Sequence, residues 1–176
     1  MVYKKTKDTK GVCGKGYKDK NTPVAIDGKI DPAYACWSNM INRCYSGRYK
    51  GYNAEVCSEW LMYENFRDWF YTQDWKGKEL DKDILGDGSI YSPETCMFIS
   101  KQLNNFLVRS NRSLGKPFGT RVMTKEGWLY KVYVRNPFNG KREYYGSYKN
   151  IKDAQEKYDV VKNQHFQEML RREVST

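Results

Sequence analysis

Trp128-Leu129-Tyr130-Lys131-Val132-Tyr133-Val134 is the stretch whose reading decides the fold of this chain. In a strand, successive side chains point to opposite faces. Trp128, Tyr130, Val132 and Val134 then share one face, and Leu129, Lys131, Tyr133 and Arg135 share the other. The first set suits packing, the second polar and ionic contacts. Working outward, Phe118–Met123 and Arg142–Tyr148 are expected to complete three strands. Turns at Lys125-Glu126-Gly127 and Pro137-Phe138-Asn139-Gly140 join them. Ile151, Ala154, Tyr158, Val161 and His165 then mark a helix stripe expected to cover one sheet face. On the other face, Arg142, Tyr144 and Gly146 are expected to alternate with Glu143, Tyr145 and Ser147, and Arg121 is the candidate from the first strand. A three-stranded sheet can enter the major groove, where Arg forks recognise guanine edges.

Upstream, Asn111-Arg112-Ser113-Leu114-Gly115-Lys116-Pro117 lacks periodicity and reads as a linker. Before it, Asp31-Pro32 has the form of an N-cap followed by proline at the first helical position. Trp37, Met40, Ile41 and Cys44 follow at the spacing of one helical face, with Arg43 on or just beyond that helix. A second helical stretch carries Trp60, Phe66, Trp69 and Phe70, an aromatic stripe read as core, and Asp74 and Gly77 end it. Leu80–Leu85 is expected to be a strand, Gly86-Asp87-Gly88 a turn and Cys96–Ile99 a second strand. A helix from about Lys101 carries Leu103, Phe106 and Leu107. The expected fold class is α+β: a helix/hairpin/helix core, then a three-stranded antiparallel sheet packed on one helix. The expected divisions are a basic arm over 1–30, a core over 31–110, the linker over 111–117 and the sheet domain over 118–176.

The net charge is +10, unevenly placed: +7 over residues 1–50, −3 over 51–115 and +6 over 116–176. Basic segments suit phosphate backbones, because each neutralised phosphate releases counterions. Hydrophobic content of 39% and aromatic content of 15% are enough for a core, which argues against wholesale disorder. No apolar run approaches the roughly 18 residues of a membrane span, and no secretory signal follows Met1-Val2-Tyr3-Lys4-Lys5. A soluble intracellular protein without a membrane partner is expected. The five cysteines form no C-x-x-C pair, and in an odd number they suggest neither a zinc knuckle nor a disulfide framework.

Two resemblances follow from these motifs. Phe118-Gly119-Thr120-Arg121-Val122, Trp128 with its alternation to Val134, Gly140-Lys141-Arg142, Tyr145-Gly146-Ser147-Tyr148, Ala154 and Tyr158-Asp159 resemble the Apetala-type DNA-binding domain over about residues 117–163. That resemblance implies double-stranded DNA as partner, with Arg121, Lys131, Arg135, Lys141, Arg142 and Tyr144 on it. Trp37, Met40, Arg43-Cys44-Tyr45, Val56-Cys57, Glu59-Trp60, Phe66, Leu80-Asp81-Lys82-Asp83-Ile84, Gly88, Tyr91-Ser92-Pro93-Glu94-Thr95-Cys96 and Phe98 resemble phage and mobile-element homing endonucleases related to the HNH class. Asn104 falls where that group carries a helix asparagine. This second resemblance covers about 33–108 and implies a phage-infected or bacterial cytoplasm.

The chain departs from the HNH pattern at two points. The first is the asparagine usual in the second strand, which is replaced around Thr95, and the second is the general base. Lys82 or Asp83 stands where those enzymes place a histidine general base, and the one histidine, His165, belongs to the last helix stripe. Loss of a positioned base costs about 10²–10⁴-fold in rate. If Leu80–Leu85 is a strand, Asp81 and Asp83 face one side and Lys82 the other. That geometry suits a clamp for Mg²⁺ or Mn²⁺, with Glu59, Asp87 and Glu94 as candidates to complete it. The expectation is a metal-dependent DNA endonuclease with Asp81, Lys82 and Asp83 at its centre. The alternatives are a repressor-like, catalytically inactive DNA-binding protein descended from one and, less favoured, an RNA binder.

Overall fold

The computed structural model describes residues 11–113 and 120–174. It is a mixed α+β fold in two compact units, Met1–Ile99 and Ser100–Thr176. The division at Ile99/Ser100 lies ahead of the expected linker. Asn111–Ser113 instead end a helix, and the rest of 111–117, with Phe118 and Gly119, lies outside the described residues.

In the first unit a hairpin pairs β1 (Ala25–Ile26) with β2 (Lys29–Ile30). Asp27 and Gly28, at φ 50° and 74°, form its two-residue turn, as type I′ geometry requires. Helix α1 (Pro32–Tyr45) begins where Asp31 accepts a hydrogen bond from Ala33 N–H at 2.8 Å. Its apolar face buries Trp37, Met40 and Ile41. A short 3₁₀ turn (Glu59–Leu61) leads into α2 (Tyr63–Phe70). The expected aromatic stripe is core: Trp60, Phe66 and Phe70 are buried, with Trp60 4.5 Å from Trp69 and edge-on to Phe66 at 5.0 Å. Such ring pairs add about 0.5–1.5 kcal/mol each beyond their burial.

Residues 11–30 are not a detached arm. Tyr17 N–H donates to Leu61 O, Tyr63 N–H donates to Tyr17 O, and Asp19 N–H donates to Glu64. Gly16 lies so close to Trp37 that a Cβ there would come within 2.8 Å of the indole. The packing therefore needs glycine at that point.

The expected hairpin of the acidic segment is built differently. Strand β4 (Lys78–Asp81) stops at Asp81, and β6 (Met97–Ser100) pairs with it. Between them β5 (Ile90–Tyr91) pairs in parallel with β3 (Glu55–Val56).

In the second unit, α3 (Lys101–Ser113) precedes the sheet β7 (Thr120–Thr124), β8 (Gly127–Arg135) and β9 (Arg142–Tyr148), antiparallel in that order. The sheet packs on α4 (Ile151–Val174), where Asn150 caps the helix through Lys152 N–H. Val132, Val134, Ala154 and Val161 form the core, flanked by Tyr130, Tyr145, Tyr148 and Tyr158. Ala154 lets the helix approach the sheet closely, whereas Ile151 at the start of the expected stripe is exposed. Near the far end of α4, Glu173 accepts from Ser100 N–H, and from the middle of that helix Lys162 Nζ lies 3.9 Å above the Phe106 ring.

Candidate nucleic-acid interface

The register of β7–β9 decides which side chains face away from α4. The turn at Lys125-Glu126 sets Thr124 opposite Gly127, and counting back pairs Arg121 with Tyr130. Directly opposed residues share a face. Arg121 therefore lies on the side of Tyr130 and Trp128, not on the outward side expected of it. Its guanidinium stacks 4.0 Å over the Trp128 ring, where Met123 is also exposed.

The outward positions of β8 are Leu129, Lys131, Tyr133 and Arg135, as the alternation predicts, while Val132 and Val134 are buried beneath. Across from them β9 places Arg142 opposite Arg135 and Tyr144 opposite Tyr133. There the register shifts. Lys131 pairs with Ser147, so Tyr145 and Gly146 together oppose Val132. An extra residue of this kind is a β-bulge, which needs an unusual backbone conformation and re-aims the chain. Gly146, at φ 122°, supplies it, and a Cβ there would meet Tyr148 Oη at 3.0 Å. Beyond the bulge the faces exchange: Ser147 turns outward, contrary to simple alternation, and Tyr148 turns into the core. The hydrogen bond between Tyr144 Oη and Ser147 Oγ, 2.7 Å, joins the two outward side chains across it.

The result is an aromatic and cationic surface. The Tyr133 and Tyr144 rings lie 5.3 Å apart, and the Arg142 guanidinium rests 4.3 Å over Tyr133. Stacking holds the planar fork in one orientation while its edges stay open to a ligand. Arg135 donates to Gly140 O at 2.9 Å and is thereby tied to the β8–β9 turn. Lys141 sits exposed on that turn, its backbone N–H held by Asn139. No outward position of the three strands is acidic. Glu143 points the other way and accepts from Asn136, Asn139 and Tyr145, bonds that hold its carboxyl below the ordinary range. His165 packs edge-on near Phe138 and Tyr145, and burial lowers its pKa.

The second candidate site is the Asp81-Lys82-Asp83 segment of the first unit. Because β4 ends at Asp81, the alternation that would put both carboxylates on one side does not hold. Asp81 Oδ1 instead accepts from Asp83 N–H at 2.9 Å and Ile84 N–H at 3.0 Å, closing a turn. Burial raises the Asp81 pKa against the pull of those two bonds. Asp83 Oδ1 pairs with Lys82 Nζ. Asp87 is exposed and bonded to Ser89, Glu94 is exposed with a hydrogen bond from Ser92, and Glu59 lies exposed in the 3₁₀ turn. Among the described residues, no three His, Cys, Asp or Glu side chains are grouped to hold a metal ion. These donors do not fit Mg²⁺ or Mn²⁺, since the two expected ligands are spent on a turn and on an ammonium. All five cysteines are free thiols.

Lys82 has surroundings that the sequence did not announce. Only 6% exposed, its ammonium lies 5.4 Å from the Tyr52 ring centroid and 5.6 Å from that of Tyr91. The two phenol oxygens are 2.6 Å apart, and Arg43 Nη1 donates to Tyr91 Oη at 3.4 Å. Asn104, which falls where the HNH-related group carries a helix asparagine, lies on α3 in the second unit. No helix among the described residues is long and apolar enough to cross a membrane. Compared with known protein families, curated proteins and solved structures, the chain finds no match.

Proposed function

We propose that this protein binds double-stranded DNA through the outward face of its C-terminal sheet. The observation that carries the reading is the stack of Arg142 on Tyr133 beside Tyr144, on a face whose charged residues, Lys131, Arg135 and Arg142, are all cationic. In this reading Arg142 contacts base edges in the major groove, where a pre-oriented guanidinium matches the guanine O6 and N7 acceptors. Lys131, Arg135 and Lys141 neutralise phosphates and set the register on the duplex. Tyr144 supplies an apolar ring and a hydroxyl at the groove. The net charge of +10 favours association with any polyanion and makes it dependent on salt.

The alternative of a sequence-specific, repressor-like binder needs nothing more than this face. Endonuclease activity is a second reading, supported by one observation. Lys82, which with Asp83 stands where the HNH resemblance has histidine, is buried with Asp81 and Asp83 at its sides. Selection of bound duplexes from a random pool, followed by anisotropy titrations, tests the main reading. It expects a selected duplex to bind in the absence of divalent metal, and more tightly than single-stranded DNA or RNA of the same sequence. Equal or tighter binding of the single strands overturns it. Incubation of supercoiled plasmid with and without Mg²⁺ tests the second reading, which fails if no cuts depend on Asp81, Lys82 or Asp83.

A further inference from the structure

We propose that Arg43, Lys82, Tyr52 and Tyr91 form a binding site for a phosphate oxyanion, with Asp83 as the internal counter-ion that a bound phosphate displaces. The proposal stands apart from the sheet reading: it concerns only the first unit, and binding is what it predicts.

An ammonium carries three N–H donors and no acceptor. Lys82 gives Asp83 one of them, and Tyr rings face it at 5.4 and 5.6 Å. A buried cation held by one carboxylate and two π faces still has capacity for a second anionic partner. Asp83, 51% exposed at its side chain, sits at the solvent side of the pair and is free to turn away. Arg43 lies 6.0 Å from the Tyr52 ring centroid and bonds to phenol oxygen; among the described residues no carboxylate is within ion-pair distance of it. Arg43 and Lys82 both lie against the Tyr52 ring, at 6.0 and 5.4 Å from its centroid, and both approach Tyr91, which places the two cations around one spot.

The phenols complete the donor set. Tyr91 accepts from Arg43, and the short Tyr52–Tyr91 bond uses one of the two O–H protons. That leaves one hydroxyl able to donate to an incoming oxygen. Gly88, at φ 79°, brings its backbone against the Lys82–Asp83 pair, so closely that a Cβ would collide with Asp83 Oδ1. The positive φ at that position favours glycine. The ligand class that matches two cations and a phenol O–H is a tetrahedral oxyanion, whether a nucleic-acid backbone phosphate or free phosphate.

The full-length protein is titrated with inorganic phosphate, followed by ³¹P NMR, and with a short duplex across a salt series. Wild type, Arg43→Gln and Asp83→Asn are compared; Lys82 is left intact because its burial makes substitution a test of folding. Arg43→Gln is expected to weaken phosphate binding by about tenfold, the worth of one charge-assisted hydrogen bond. If the ligand is a DNA backbone, Arg43→Gln also lowers the salt slope of duplex binding by about one. A phosphate effect without a duplex effect assigns the site to free phosphate. Asp83→Asn is expected to bind phosphate more tightly than wild type, and phosphate should raise its melting temperature more than chloride does at equal ionic strength. If Arg43→Gln changes neither titration, or Asp83→Asn binds phosphate no better than wild type, the proposal is wrong and the cluster only holds the fold.

Discussion

Replacing Asp31 with alanine should destabilise the first unit by about 3 kcal/mol, a figure that follows from what the carboxylate does. Asp31 is fully buried and serves four groups. Oδ1 accepts from Ala33 N–H at 2.8 Å and from Tyr71 O–H at 2.7 Å, Oδ2 accepts from Tyr63 O–H at 3.0 Å, and Arg67 Nε lies 3.5 Å away as an ion pair. Loss of an N-cap costs about 1 kcal/mol. Tyr63 is wholly buried, and its hydroxyl, left without an acceptor, adds about 1–3 kcal/mol. Tyr71 is 43% exposed and can turn to water, and the guanidinium of Arg67, one-third exposed, adds little once screened. Asp31→Asn keeps an acceptor for the cap and should cost less, about 1–2 kcal/mol. Urea unfolding followed by tryptophan fluorescence reads both variants, with m unchanged if only stability moves. A loss below about 1 kcal/mol for Asp31→Ala, or equal losses for the two variants, refutes this account of the hub.

The same carboxylate makes a pH prediction. Burial opposes its charge, but the Tyr71, Ala33 and Tyr63 hydrogen bonds and Arg67 outweigh that and hold its pKa below the ordinary 3.8. A depressed carboxyl stabilises the fold above the unfolded-state value, and that contribution is lost as pH falls through the folded one. The gap between wild type and Asp31→Asn should therefore be full at neutral pH and close in acid below 3.8. Gly146→Ala should cost about 1–3 kcal/mol of stability, because alanine is strained at φ 122° and its Cβ presses on Tyr148; thermal unfolding checks it. Arg142→Ala should leave stability within about 0.5 kcal/mol, since the side chain is exposed, yet weaken selected-duplex binding by about 1–3 kcal/mol. In native-state alkylation, exposed Cys13 should react first, while Cys36 and Cys96, whose thiols burial pushes up to about 12, should resist until the fold opens.

Much of the fold was legible because its signals are local. The alternation from Trp128 to Val134 fixed the faces of the central strand, and Asp31-Pro32 fixed the start of α1, since neither depends on distant partners. The misplaced residues depend on register. Arg121 needed the two-residue turn to be counted through, and Ser147 needed the bulge, for which Gly146 inside a strand was the available signal. Asp81 and Asp83 were expected to alternate in a strand. An aspartate that can accept from backbone N–H groups two and three residues ahead competes with strand continuation, and the segment turns there. The Lys82 surroundings were out of reach of sequence reading because Arg43, Tyr52 and Tyr91 come from separate elements. Nor could aperiodicity at 111–117 mark the division between units, because α3 runs into that stretch and belongs to the second unit.

Neutralising cations on either side of the same sheet decides whether the proposed outward face binds DNA. Anisotropy titrations of one selected duplex would compare a Lys131→Gln/Arg142→Gln double variant with Arg121→Gln, with folding checked by circular dichroism. The double variant is expected to lose at least about tenfold in affinity, with a salt slope lower by up to about two. Arg121→Gln should bind within about twofold of wild type, a difference of about 0.4 kcal/mol. Unchanged binding by the double variant, or a larger loss from Arg121→Gln, would contradict the proposal.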